Sequence, residues 1–261
     1  MLDAAHKAGD SLFDVCNRRI GSEMAARSLQ AHRIIIDGKW SLEDLADFPH
    51  VYDQVYFALE AMSALGQSEV DERIVQAFSA YPWHGGYSAV GFFNELKWAT
   101  PKRERPQLKS MHYASLGGME LLLDVVVAER IVALVIRITK AFDAINGTYQ
   151  DVVRGLIERK LLSLKAKETE LTLAKHELDF IDYCATRMAK VLGFTNLNAL
   201  NRTTGSAYKS LKIIMAVYRR LRRLVAFQRD GKVDFVATQS QPRLSAPKKA
   251  RTPKEKQTIK G

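Results

Sequence analysis

Apolar residues recur every three or four positions through most of the second half of the chain, a period that predicts amphipathic helices. The longest run extends from Tyr149 to Leu192. Its apolar seam consists of Ile157, Leu161, Leu164, Leu171, Ala174, Leu178, Ile181, Ala185, Met188 and Leu192. A continuous helix of about 40 residues would be about 60 Å long. We therefore expect a long hairpin, a coiled coil or an oligomer that covers this seam.

The first half of the chain combines short helices with two strands. Residues 31–36 form a β-branched run that ends at an Asp-Gly turn signal, and residues 107–114 are a second predicted strand. We expect the two strands to pair, because a lone strand leaves its backbone groups unsatisfied. Ser41 predicts the start of a helix that stops before Pro49, and from Met119 onward the apolar period predicts helix.

The last predicted helix carries most of the candidate binding residues. A short helix and a turn at residues 203–206 precede it, and it extends from Ala207 to Gln228. One face is apolar, and basic side chains are predicted mostly on the other. They are Lys209, Lys212, Arg219, Arg220, Arg222 and Arg223. A helix-turn-helix is one interpretation, although base-reading residues belong near the start of a recognition helix and here the charge lies at the far end. A second is a basic face left exposed when the helix packs on the bundle.

These patterns predict a mainly α protein whose C-terminal half is a long helical hairpin or coiled coil, with a small N-terminal α+β portion containing two paired short strands. The expected segments are an N-terminal helical segment (1–27), an α/β portion (28–116), a helical hairpin (117–192), a short helix with the basic helix (193–236) and a disordered basic tail (237–261). The tail is rich in proline and lysine and has too few apolar residues to offset its ordering entropy.

Charge is distributed unevenly along the chain. The first hundred residues hold 8 basic against 14 acidic residues, whereas residues 201–261 hold 16 basic against 3 acidic ones. The overall net charge of +10 is thus a property of the C-terminal end. Such asymmetry predicts contact of that end with a polyanion or an acidic surface.

Several classes of site lack their sequence signatures. Two distant cysteines, Cys16 and Cys184, exclude a disulfide scaffold and a zinc ribbon and suit a reducing compartment. No histidine lies at helical spacing from another histidine or a cysteine, and no GxxxxGK[ST], GxGxxG or GxSxG pattern occurs. The first ten residues lack the apolar segment of a secretory signal. We therefore expect a cytoplasmic protein with no catalytic residues, no metal, no cofactor and no small-molecule ligand.

Three hypotheses about function follow. The leading one is a non-enzymatic interaction protein that self-associates or binds a protein partner through the long apolar seam. The alternative is a nucleic-acid-binding protein that uses the basic C-terminal helix and tail. The third is peripheral association with an anionic membrane through residues 119–138 or 207–228.

Overall fold

The structure, a computed structural model, describes residues 29–65, 70–80, 88–114, 117–161 and 173–239. Within these residues the chain is mostly helical and contains one four-stranded antiparallel sheet. The mainly α fold class and the presence of a small sheet are thus confirmed.

Four strands and nine α-helices make up the described residues. The strands are β1 (Gln30–Ile36), β2 (Gln107–His112), β3 (Gly117–Leu123) and β4 (Val233–Asp234). The helices are α1 (Leu42–Ala64), α2 (Glu72–Ser79), α3 (Ser88–Ala99), α4 (Val125–Lys140), α5 (Phe142–Glu158), α6 (Lys175–Leu192), α7 (Leu197–Thr204), α8 (Ala207–Arg229) and α9 (Phe235–Gln239). A short 3-10 helix, Lys102–Glu104, precedes β2.

The sheet has the strand order β2-β3-β1-β4. Both strands expected from the sequence are present as β1 and β2, but the predicted pairing between them is wrong, because β3 lies between them and pairs with each. The sequence pattern predicted helix for β3. Met119, Leu121 and Leu123 are buried at alternate positions, which is the period of a strand. These apolar residues continue without a break into the helical pattern of α4, so the sequence pattern alone does not show where the strand ends.

The two glycines that begin β3 differ in what surrounds them. A methyl group at Gly117 would lie 2.5 Å from the carbonyl oxygen of His112 and 3.0 Å from that of Ala114. At Gly118 the nearest atoms belong to the Arg33 side chain, which can move away. Gly117→Ala is therefore expected to lower the free energy of unfolding by about 1–3 kcal/mol, because backbone has to shift. Gly118→Ala serves as the matched control, with an expected loss under about 1 kcal/mol in urea unfolding. Equal losses would contradict the prediction.

Helix α1 continues through Pro49, so the predicted stop before that residue is wrong. The start is as expected: the Ser41 hydroxyl accepts a hydrogen bond from the Asp44 amide, and the Asp44 carboxylate accepts one from the Ser41 amide. A proline inside a helix removes one backbone hydrogen bond. Complete burial of the flanking Phe48 and Val51 favours the unbroken helix in spite of that loss.

The prediction of one continuous helix from Tyr149 to Leu192 is wrong. Helix α5 ends at Glu158, and Lys160 adopts a left-handed conformation with a φ of 56°. Helix α6 begins at Lys175 after an extended residue. Gly147 lies inside α5, and α4 and α5 are separated at Ala141, which leaves the helical conformation.

Helices α5 and α6 run in opposite directions, since Asp151 pairs with Arg187 whereas Arg159 lies over the Phe180 ring. The apolar seam of α6, from Ile181 to Leu192, is buried and packs against α8 of the same chain. This part of the seam is covered within the chain, whereas Ile157 and Leu178 of the predicted seam are exposed. Self-association and the hairpin or coiled-coil architecture stay predictions.

The two ends of the chain fall partly outside the description. The predicted N-terminal segment 1–27 and residues 240–261 lie outside the described residues. Residues 237–239 belong to α9, so the prediction of disorder is wrong for them. Thr238 is buried there and its hydroxyl accepts a hydrogen bond from the Ile35 amide. The predicted boundary between segments at residue 117 falls between β2 and β3, which are paired strands.

Candidate anion-binding groove

Helix α8 begins as the sequence indicates. Gly205 has a left-handed backbone, and the Ser206 hydroxyl accepts a hydrogen bond of 3.1 Å from the Lys209 amide. Tyr208 and Ser210, in the first turn, are buried. A recognition helix reads bases with side chains of its first turns, and here that part faces the core. The geometry therefore does not favour a helix-turn-helix mode of DNA binding.

Lys209 and Lys212, the first two predicted binding residues, have their amino groups against the protein. The Lys209 amino group donates a hydrogen bond of 3.0 Å to the backbone oxygen of Ser79. The Lys212 amino group lies 4.4 Å from the centre of the Tyr208 ring, and desolvation lowers its pKa to about 8. Neither side chain contributes to an open basic face.

Arg220 is directed toward α1 and α3. Its Nε donates a hydrogen bond of 3.0 Å to Oε1 of Gln54, and its guanidinium lies 4.8 Å from the centre of the Phe93 ring. Desolvation, followed by the charges of Arg219 and Arg223, lowers the pKa of this guanidinium to about 10. Arg220 thus packs between helices.

The structure brings the remaining three predicted residues together on the C-terminal half of α8. On the α5 side, Arg219 donates to the Tyr149 hydroxyl at 3.5 Å and Arg222 donates to Oδ1 of Asn146 at 3.4 Å. On the α1 side, Arg223 forms an ion pair with Asp47. This part of α8 is therefore a basic strip between α1 and α5.

A groove of about 300 Å³ lies along this strip. Its lining residues are Phe142, Asn146, Arg222, Arg223, Val225, Ala226 and Arg229. Sequence reasoning missed Arg229, although it follows Arg222 by two helical turns and the spacing could have indicated it. Phe142 and Asn146 were missed as well, and no sequence signal connects them to α8. We call this feature the arginine groove, formed by these lining residues together with the neighbouring Arg219.

The arginine groove holds positive charge that carboxylates do not balance. In the part of the chain that the structure describes, Arg219, Arg222 and Arg229 have no carboxylate within ion-pair distance, and Arg223 has Asp47. Some basic residues elsewhere, such as Lys97, are paired with a carboxylate, whereas others, such as Arg105 and Arg202, form hydrogen bonds to backbone oxygens instead. Guanidinium groups present several donors in a fixed plane that fits phosphate oxygens. The exposed lining of the groove is mostly apolar, and its guanidinium groups are the part that can bind an anion.

Other kinds of site find less support. An open depression of about 570 Å³ beside α7 is lined by a single charged side chain, Arg202. Across residues 29–239, leaving out the undescribed gaps, no three His, Cys, Asp or Glu side chains are grouped as a metal site would require. Within the same ranges, every helix is too short or too polar to cross a membrane.

Known proteins provide no further guide to function. No protein-family model, curated protein or solved structure matches the chain.

Proposed function

We propose that this is a non-enzymatic nucleic-acid-binding protein whose arginine groove contacts the phosphate backbone. The observation that carries the proposal is the row formed by Arg222 and Arg229 in the groove and Arg219 beside it, none of which has a carboxylate partner among the described residues. Guanidinium groups without carboxylate partners attract anions, and a nucleic acid that binds to them releases its own counterions.

The length of the basic strip favours a polyanion over a single anion. From Arg219 to Arg229 the helix advances by about 15 Å at 1.5 Å per residue. One phosphate group reaches one or two guanidinium groups, whereas successive phosphates of one DNA strand are about 3.4 Å apart along the duplex axis. A nucleic-acid backbone therefore has enough phosphates along its length to place one beside each arginine of the strip.

The sequence beyond α9 supports the same partner. Residues 240–261 contain seven Lys or Arg and one Glu. Basic segments of this composition bind phosphate backbones without reading bases. We expect the tail to raise the affinity and the arginine groove to fix where the strand lies.

The double variant Arg219→Gln/Arg222→Gln tests the proposal. Each lost phosphate contact is expected to weaken binding by roughly tenfold near 50 mM salt, so the pair should lose about 50- to 100-fold in affinity. The measurement is fluorescence anisotropy of a labelled single-stranded oligonucleotide. Thermal unfolding of the variant checks that the fold is retained.

Arg154→Gln is the control for the loss of one positive charge, half the charge that the double variant removes. Arg154 lies on α5, its side chain is 70% exposed, and the nearest carboxylate, that of Asp151, is 4.0 Å away. Its replacement removes the same kind of charge outside the arginine groove, so affinity should change less than about threefold. Equal losses for control and double variant, or no complex with the unmodified protein at low salt, would contradict the proposal.

Self-association and membrane contact stay predictions with tests of their own. The α6 seam from Ile181 to Leu192 is buried against α8, whereas Ile157 and Leu178 of the predicted seam are exposed. Light scattering at high micromolar concentration measures the oligomeric state directly. Co-sedimentation with vesicles containing anionic lipid measures membrane contact, and neither assay depends on nucleic-acid binding.

A further inference from the structure

In one wall of the arginine groove, a guanidinium group lies over an aromatic ring. The guanidinium of Arg229 lies 4.6 Å from the centre of the Phe142 ring. Arg229 is exposed, whereas Phe142 is partly buried and packs against the core. Contact with the ring holds the guanidinium plane in place, and because Arg229 is exposed the plane stays accessible to a ligand. Such planes are surfaces on which unpaired bases stack.

Asn146 places a hydrogen-bonding group beside this pair. Its Oδ1 accepts hydrogen bonds from the Tyr218 hydroxyl at 3.3 Å and from Arg222 at 3.4 Å. Because the oxygen is occupied, the amide nitrogen is the group that remains to donate to a ligand. Tyr218 is buried, so it fixes the orientation of the amide.

The shape of the arginine groove suits a thin, flexible ligand. Arg222 lines the groove and Arg219 lies beside it; both are half-buried and donate hydrogen bonds to α5 side chains. A volume of about 300 Å³ is at the lower end of ligand-binding pockets, which admits a nucleotide-sized group. A duplex presents its phosphates on a stiff convex surface with the bases stacked inside, and it cannot enter such a space. A single strand can turn one base inward.

We infer that the arginine groove binds single-stranded nucleic acid, with one base stacked on the Arg229 guanidinium and the adjoining phosphates on Arg219 and Arg222. This inference rests on the proposed function, and it adds the strandedness of the partner and a specific role for Arg229. The base contact is sequence-tolerant, because every base has a flat face.

The variant Arg229→Lys separates stacking from charge, since lysine keeps the positive charge and loses the planar group. The probes are a labelled oligothymidylate of twelve nucleotides, a phosphodiester strand of equal length that lacks bases, and a duplex of twelve base pairs. The variant should bind oligothymidylate about tenfold more weakly than the unmodified protein and bind the base-free strand equally well. Arg154→Lys is the control and should leave both affinities unchanged.

Each other outcome has a defined meaning. Equal weakening on the base-containing and base-free strands overturns the stacking role and leaves phosphate binding in place. Tighter binding of the duplex than of oligothymidylate overturns the single-strand preference. Tighter binding of polyglutamate than of oligothymidylate overturns the inference in favour of an acidic protein partner. If the unmodified protein binds none of the three nucleic-acid probes, the proposed function itself fails.

Discussion

Phe48→Ala is expected to lower the free energy of unfolding by about 3–5 kcal/mol, the largest stability effect that we predict. The Phe48 side chain is 0% exposed. It lies among four aromatic rings, those of Trp40, Tyr52, Phe227 and Phe235, and its ring centre is 5.2 Å from that of Phe227. This cluster connects α1 with α8 and α9, so the cavity left by the substitution would be bordered by three separate elements that cannot all move inward.

Leu42→Ala is the matched control for this prediction. Leu42 is the first residue of the same helix, and it is 85% exposed, so its truncation creates no cavity. Alanine is also a good helix former, and the change should stay within about 0.5 kcal/mol. Urea unfolding of both variants measures the difference. A loss below about 1 kcal/mol for Phe48→Ala would mean that the aromatic cluster is not packed as described.

Acid is expected to destabilise the protein through His32. This residue lies in β1, and its Nε2 is buried without a hydrogen-bond partner in the structure. Desolvation lowers the pKa of the imidazole to about 4 from its ordinary value of 6.5. Well above pH 6.5 the imidazole is neutral in both the folded and the unfolded state, so its titration does not change the free energy of unfolding. Between pH 6.5 and 4 the unfolded chain binds the proton first, so stability falls, by up to about 3 kcal/mol from this group at pH 4.

His32→Leu isolates that contribution from the carboxylates, which titrate in both proteins. The free energy of unfolding of the unmodified protein should decrease by up to about 3 kcal/mol more than that of the variant between pH 7 and pH 4. Denaturant unfolding at several pH values in this range provides the comparison. Parallel curves for the two proteins would show that His32 is protonated equally in the folded and unfolded states.

The local parts of the fold follow from sequence, and the parts that depend on tertiary contacts do not. Strand β1 and the turn that contains Gly205 are determined by neighbouring residues, and the sequence predicts both. Helix α1 crosses Pro49 because buried side chains on either side outweigh one lost hydrogen bond. In strand β3 the apolar residues alternate every two positions, but this short pattern runs into the longer helical pattern of α4. Only the pairing of β3 with β1 and β2 distinguishes it from a helix.

The candidate site shows the same division. The spacing of basic residues on α8 was visible in the sequence, but their surroundings were not. Arg220 and Arg222 are two residues apart, yet one packs on α1 and α3 and the other lines the arginine groove. The surroundings of these two arginines differ because α8 lies between α1 and α5, so that residues two positions apart face different helices. Asn146 and Phe142 belong to the site because α5 packs there, and no motif in the chain marks them.

The salt dependence of binding tests the central claim, that phosphates lie on Arg219 and Arg222. For a single strand, the slope of log affinity against log salt concentration is about −0.7 per phosphate contacted. The slope for Arg219→Gln/Arg222→Gln should therefore be shallower than that of the unmodified protein by about 1.4. Arg154→Gln should keep the original slope. Identical slopes for the unmodified protein and the double variant would show that nucleic acid, if bound, is bound elsewhere on the chain.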